Sequence, residues 1–246
     1  MIDLDERFRA AVESFWQTRE VQAKNQARRG RVDAGTRGAV TGGAQMAAIE
    51  SLIVQLLCEV GLRPDELRTG SSLDLPGFFR PEKRWDLLVI ADRTLVAAIE
   101  FKSQVGSIGN NFNNRTEEAL GNSVDLWTAF REGRFGVPTP PEPFLGFFFL
   151  LEDTLAVHRP VRPAESHFAV DPIFKVGRDG VSYARRYEIL LQRLVAERKY
   201  SAGCLTLSSR GARGRGATVE HPSADLSFKR FAASLQGHAV TFLRSR

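Results

Sequence analysis

Asp86, Glu100 and Lys102 are the residues of this sequence whose types and spacing best suit chemistry. They lie on two strongly apolar stretches, Trp85 to Ala91 and Leu95 to Lys102, where an unpaired charge is costly. Glu-x-Lys on a strand places both side chains on one face, because successive residues alternate, and leaves Ile99 and Phe101 on the other. Whether Asp86 joins them depends on hairpin register. A three-residue loop at Asp92-Arg93-Thr94 pairs position 91 with 95 and sets Asp86 opposite Glu100, with the carboxylates ~5 Å apart at Cβ. A two-residue loop instead sets Asp86 opposite Ile99 and sends Glu100 to the far face. The chemistry therefore requires an odd-length loop or a compensating bulge. Two carboxylates sharing one divalent ion beside an ammonium suit phosphodiester hydrolysis. Mg²⁺ prefers hard oxygen ligands and neutralises the scissile phosphate, while the lysine orients or helps deprotonate the attacking water. The competing reading is a hairpin with an ordinary exposed Glu/Lys face.

The elements around this pair follow from hydrophobic period and breakers. Phe8, Ala11, Val12, Phe15 and Trp16 predict a short helix over 7–20, and Met46 to Val60 predict another from Ala44 to a stop at Gly61. Glu50 borders the apolar stripe of that second helix, so it could face the sheet edge as an outer metal or water ligand, or simply meet solvent. Gln104 continues the parity of Glu100 and Lys102 and could touch substrate or end the strand. A weak strand is expected near 66–75, a polar loop at Asn110 to Asn114, and a helix capped by Asn114 and Glu117. Phe144 to Leu151 reads as a buried strand. A proline-dotted loop, a helix over 182–199, a strand over 202–208 and a helix from Ser223 complete the chain. The order predicts an α/β fold, a central mixed sheet flanked by helices with a helical C-terminal extension.

Charge supplies the partner class. Lys+Arg number 34 against 29 Asp+Glu, a net +5 with a pI near 9.5. Residues 16 to 37 carry Arg19, Lys24, Arg28, Arg29, Arg31 and Arg37 against Glu20 and Asp33, which is most of the surplus. Gly30, Gly35, Gly38, Gly42 and Gly43 make helix implausible within that stretch, so 22–43 reads as a basic wrapping arm. Such a patch suits a polyanion, nucleic acid or an anionic membrane face, and it also suits a solvated loop. The composition, 43% hydrophobic and 26% charged, is that of a globular chain, with no apolar run near the ~18 residues of a membrane span. The first residues lack a signal peptide's pattern, so cytoplasm is the expected location. Cys58 and Cys204 are too few for a disulfide framework, and no Gly-Lys pair, His-Glu-x-x-His or Gly-x-Ser-x-Gly occurs.

At Asp86, Glu100 and Lys102 the sequence resembles the PD-(D/E)xK nucleases, and more closely the XhoI-type type II restriction endonucleases. The resemblance spans most of the chain. It is carried by Phe-Trp-Gln-Thr-Arg at 15–19, Val-Thr-Gly-Gly-Ala-Gln-Met at 40–46, Arg-Pro-Glu-Lys-Arg-Trp-Asp-Leu-Leu-Val at 80–89 and Ile-Glu-Phe-Lys-Ser-Gln-Val-Gly at 99–106. Gly-Asn-Asn-Phe-Asn-Asn-Arg-Thr-Glu-Glu-Ala-Leu-Gly at 109–121 and Phe-Ala-Ala-Ser-Leu at 231–235 extend it.

The resemblance implies a restriction-endonuclease-like core and a homodimer that cuts double-stranded DNA at 5′-CTCGAG-3′ with Mg²⁺, leaving 5′ overhangs, alongside a cognate DNA methyltransferase. Asp86, Glu100 and Lys102 match the family's triad, with Trp85 where the superfamily has proline. The chain then divides into the arm 22–43, a catalytic core 44–151 and an extension 152–246 within one endonuclease domain of 1–246. Phosphate contacts are expected from Arg28, Arg29, Arg31 and Arg213. Base contacts are expected from Asn110, Asn111, Asn113, Asn114 and Arg115, with Lys83 and Arg84 as similar candidates. A structure-specific repair nuclease of the same superfamily and a non-catalytic DNA-binding module are the competing functions.

Overall fold

The computed structural model describes residues 3–28, 44–135, 141–211 and 216–246. Helix α1 (Leu4–Arg28) is followed by a 3-10 turn at Ala44–Met46 that leads into α2 (Ala47–Glu59). Three short strands, β1 (Leu67–Thr69), β2 (Asp74–Pro76) and β3 (Glu82–Arg84), precede the hairpin of β4 (Leu87–Ala91) and β5 (Thr94–Gln104). Then come α3 (Ile108–Arg131), β6 (Phe144–Glu152), the single turn α4 (Leu155–His158) and the small ribbon β7 (Lys175–Val176) and β8 (Asp179–Gly180). Helix α5 (Tyr183–Ala196), strand β9 (Ala202–Ser208) and helix α6 (Phe228–Ser245) complete the chain.

The main sheet runs β1-β4-β5-β6-β9, antiparallel at its first two pairings and parallel at the last two. The two parallel pairings explain why β6 is an almost unbroken apolar run and why β9 is buried along its whole length, both being covered on both faces. On one face α1, α2 and α6 bury Phe8, Phe15, Ile49, Ile53 and Phe231 against Leu87, Ile99 and Phe148. On the other, α3 and α5 bury Leu126, Tyr187 and Leu191 against Leu88, Ala98, Phe147 and Phe149. This is the expected α/β arrangement: a central mixed sheet flanked by helices, with a helical C-terminal extension.

Several local expectations change. The β4–β5 loop has two residues, Asp92 and Arg93, both in the left-handed region with φ of 49° and 62°, as a tight hairpin turn requires. Ala91 therefore pairs with Thr94, which alone would misplace Glu100. A bulge between Val89 and Ile90 in the ladder then shifts the register, Ile90 pairing with Leu95 but Val89 with Ala97, so that Leu87 meets Ile99. The compensating bulge is the alternative the chemistry required.

The loop expected at Asn110 to Asn114 is instead the first turns of α3. That helix starts from Ser107, in the left-handed region beside Gly106, so Asn114 and Glu117 are not its cap. Tertiary packing overrides the weak propensity of asparagine: Phe112 meets Tyr187 edge-on, with ring centroids 5.1 Å apart, and Gly109 admits Tyr183, whose hydroxyl would lie 2.9 Å from an added Cβ. Residues 22–28 continue α1 rather than beginning a loop, because Val21, Gln22, Ala23, Lys24 and Ala27 include good helix formers that the clustered charge obscured. The strand expected over 66–75 is two strands in different sheets, β1 on the main sheet and β2 paired with β3. No helix among the described residues is long and apolar enough to cross a membrane.

Candidate active site

The register carries Asp86 one step beyond the Leu87–Ile99 pair, opposite Glu100. Its carboxylate is fixed there, since the Phe101 amide donates to Asp86 Oδ2 at 2.7 Å. Glu100 is only 3% exposed, and its charge is held by two ammonium groups. Lys102 Nζ contacts Oε1, and Lys83 Nζ donates to Oε2 at 2.6 Å. These groups stand at the end of β5 and the start of β4, beside a cleft of about 600 Å³ whose walls include Gln45, Glu50, Asp86, Lys102 and Arg115. The first turn of α2 supplies Glu50 from the opposite helical layer, so the carboxylates converge on one cleft from two elements.

The electrostatics are those of crowded acids. Burial, reinforced by the Glu100 charge, pushes the Asp86 carboxyl up. Burial and then the Asp86 charge do the same to Glu50. Burial alone would raise Glu100 too, but Lys102 and Lys83 outweigh it and hold that carboxyl below the usual range. Lys102 is raised despite its burial, because Glu100 and Asp86 favour its charge. The side chain of Lys83 is less exposed, 10% against 24%, and burial draws it down although Glu100 pulls the other way.

Mutually repelling carboxylates with hard oxygen donors are a fitting set for Mg²⁺, which binds through one or two carboxylates and completes its shell with water and phosphate oxygens. No group of three or more His, Cys, Asp or Glu that could hold a metal occurs among the described residues. Asp86 and Glu100 are a carboxylate pair of the type that would suit such an ion, not a closed cage.

The remaining sequence candidates separate. Arg84 and Arg115 line the cleft; Arg84 reaches the Gly70 carbonyl, and Arg115 pairs with Glu118 at 2.6 Å while its Nε, buried, meets no partner. Asn110, Asn113 and Asn114 share an exposed face of α3, whereas Asn111 donates back to the Ser107 carbonyl at 2.7 Å. Gln104 is buried and donates to the Gly106 carbonyl, so it is not presented to the cleft. Arg28 ends α1, and Arg29, Arg31 and Arg213 lie outside the described residues. Gln45 carries no spacing signal in the sequence, a lone glutamine after a glycine run. It is 4% exposed beside the cleft, and its Oε1 has no hydrogen-bond partner.

The family description Restriction endonuclease XhoI matches residues 25–220 of the chain. The type II restriction enzyme BstVI of Geobacillus stearothermophilus is 43% identical over 215 residues, covering 85% of this chain and 93% of the relative. AbrI of Azospirillum brasilense is 45% identical over 170 residues, covering 68% and 75%, and XhoI of Xanthomonas vasicola is 41% identical over 198 residues, covering 79% and 77%. No solved structure matches.

Proposed function

The chain belongs to the XhoI restriction endonuclease family, and from that membership we propose that it is a type II restriction enzyme hydrolysing both strands of duplex DNA at 5′-CTCGAG-3′ with Mg²⁺ and leaving 5′ overhangs. The observation that carries the chemical part is that Asp86 and Lys102 line one cleft with Glu100 buried beside it on Lys102, an arrangement reached through a bulge that sets Asp86 opposite Glu100. Asp86 and Glu100 are the residues that would hold the ion. When bound, the ion neutralises phosphate charge and acidifies a coordinated water.

The protein's own part is placement. The Phe101 amide fixes the Asp86 carboxylate, and Glu100 keeps Lys102 charged and aimed into the cleft, where its ammonium orients the attacking water and meets the charge developing on phosphate. Glu50 faces the same cleft and serves as an outer acceptor for water. Arg84 and Arg115 are proposed phosphate or base contacts. Asn110, Asn113 and Asn114 present amides from one exposed helical face and are proposed base contacts, since an asparagine amide can pair bidentately with adenine.

A two-fold site is most simply read by two copies of the chain, one active site per strand. The basic residues Arg28, Arg29, Arg31 and Arg213 are proposed phosphate contacts, which makes binding weaken steeply with salt. A host carrying such an enzyme needs a methyltransferase that protects the same sequence.

Digestion of plasmids with and without CTCGAG, with and without Mg²⁺, followed by end mapping, tests the proposal. Cleavage confined to CTCGAG plasmids and to Mg²⁺ is expected. Cutting indifferent to sequence would support a structure-specific nuclease, and binding without cutting would support a DNA-binding module.

A further inference from the structure

Arginine is the usual cation of this chain. Of 34 Lys+Arg, only Lys24, Lys83, Lys102, Lys175, Lys199 and Lys229 are lysines, yet two of these six meet at Glu100. They divide its carboxylate between them, Lys102 on Oε1 and Lys83 on Oε2. An ammonium is a compact point charge without the planar fork of a guanidinium, so of the two cationic side chains it is the one that fills the footprint of a small metal ion. Lys83 comes from β3, outside the main sheet, and reaches inward to Glu100 instead of outward to solvent.

A carboxylate with both oxygens engaged by ammonium groups must release one of them to take a divalent ion. Lys102 approaches along its own strand and shares the catalytic face. Lys83 enters from a separate hairpin and makes two further contacts that do not involve Glu100. Its Nζ lies 4.1 Å from the centre of the Trp85 ring and donates to the Arg84 carbonyl at 2.8 Å. Both contacts are made alongside the one to Glu100 and neither uses its carboxylate, so an ammonium that gives up Oε2 can keep them, the first through the negative face of the indole.

We propose that Lys83 is the resident counter-ion of this site, occupying Glu100 Oε2 until a divalent cation displaces it. The inference rests on the reading above that Asp86 and Glu100 hold the cation. In the metal-free protein Lys83 keeps a buried carboxylate neutralised, and its displacement is part of every metal-binding event. Lys83 is thus a positioning residue that acts through Glu100, not a DNA contact.

The test is Mn²⁺ binding to the full chain without DNA, read from the free-ion paramagnetic resonance signal, for the wild type and the variants Lys83→Met, Lys83→Arg and Asp86→Ala. A unit charge ~4 Å from a divalent ion, partly screened by salt, weakens binding roughly tenfold. Lys83→Met should therefore bind Mn²⁺ about tenfold more tightly, and Lys83→Arg no more tightly than wild type. In the wild type, acylation followed by mass spectrometry should find Lys83 protected without metal and reactive at saturating Mn²⁺, with exposed Lys24 as the internal reference. If Lys83→Met fails to fold, this labelling decides the matter.

Unchanged or weaker Mn²⁺ affinity in a folded Lys83→Met, or labelling of Lys83 indifferent to Mn²⁺, overturns the proposal. A wild-type affinity that Asp86→Ala does not weaken overturns the metal-site reading itself, and the role of Lys83 with it.

Discussion

Asp86 stands opposite Glu100 because Val96 is an extra residue between the Leu95–Ile90 and Ala97–Val89 pairs of the hairpin. The two-residue turn and the bulge are errors of opposite sign whose sum puts both carboxylates on one face. Deleting Val96 removes the bulge but leaves 86 facing 100, so measurable CTCGAG cleavage should persist, with stability lowered by about 2 kcal/mol for the lost burial of that valine. Inserting one alanine between Ala97 and Ala98 has the opposite effect. It pairs Asp86 with Ile99, turns Glu100 to the other face and should abolish cleavage. Equal activity in the two variants, measured on the same plasmid, would contradict this account of the register.

The roles of Lys102 and Glu50 separate in degree. Lys102→Met removes the ammonium from the cleft and should lower single-turnover cleavage by about 10²- to 10⁴-fold, the range of a positioned acid–base or electrostatic group, while gel-shift affinity for the site in Ca²⁺ stays within a few-fold of wild type. Glu50→Gln keeps the shape and should cost less, about tenfold, because Glu50 reaches the ion only through water in this reading. A Glu50→Gln defect as deep as that of Lys102→Met would make Glu50 a direct ligand.

The exposed asparagines of α3 predict specificity effects. Asn113→Ala and Asn110→Ala should weaken discrimination against single-base variants of the site by about 1–3 kcal/mol, measured as the ratio of kcat/KM values. Asn111→Ala should leave that ratio unchanged, because its amide is spent on the Ser107 carbonyl.

Much of this was legible in the sequence, and the failures have physical causes. Period and composition reveal β6, β9 and the α2 stripe because each buries its apolar positions in regular fashion. The grouping of Asp86, Glu100 and Lys102 was legible as residue types, but the register that brings them together was not, since a bulge has no sequence signature beyond an odd count. The start of α3 was hidden because asparagine favours loops, while the contacts that override it, Phe112 on Tyr187 and Gly109 under Tyr183, join segments some 70 residues apart. The inward reach of Lys83 was hidden for the same reason: its partner Glu100 lies on another element.

The hairpin that carries Lys83 has its own anchor, Asp125 on α3, and this gives a pH prediction. Asp125 Oδ1 accepts from the amides of Phe78 and Phe79, both at 2.8 Å, and Oδ2 accepts from Arg80 Nε at 2.7 Å. Burial would raise this carboxyl, but the Phe79 and Phe78 amides and Arg80 outweigh it, so its pKa in the folded protein lies below the usual aspartate value. A depressed folded pKa contributes stability that is present above the unfolded value, about 3.9, and is lost as pH falls through the folded one. Asp125→Ala should therefore cost about 1–3 kcal/mol at neutral pH, where two amides and a guanidinium lose their acceptor. The gap to wild type should narrow as acid protonates Asp125 in the parent. Gly77→Ala attacks the same clamp sterically, because its Cβ would lie 2.6 Å from the Arg80 carbonyl and 2.7 Å from Asp125 Oδ2. Thermal unfolding of wild type and both variants from pH 7 to pH 3 checks this. A wild-type advantage over Asp125→Ala that grows on acidification would show that the carboxylate is not what holds the hairpin.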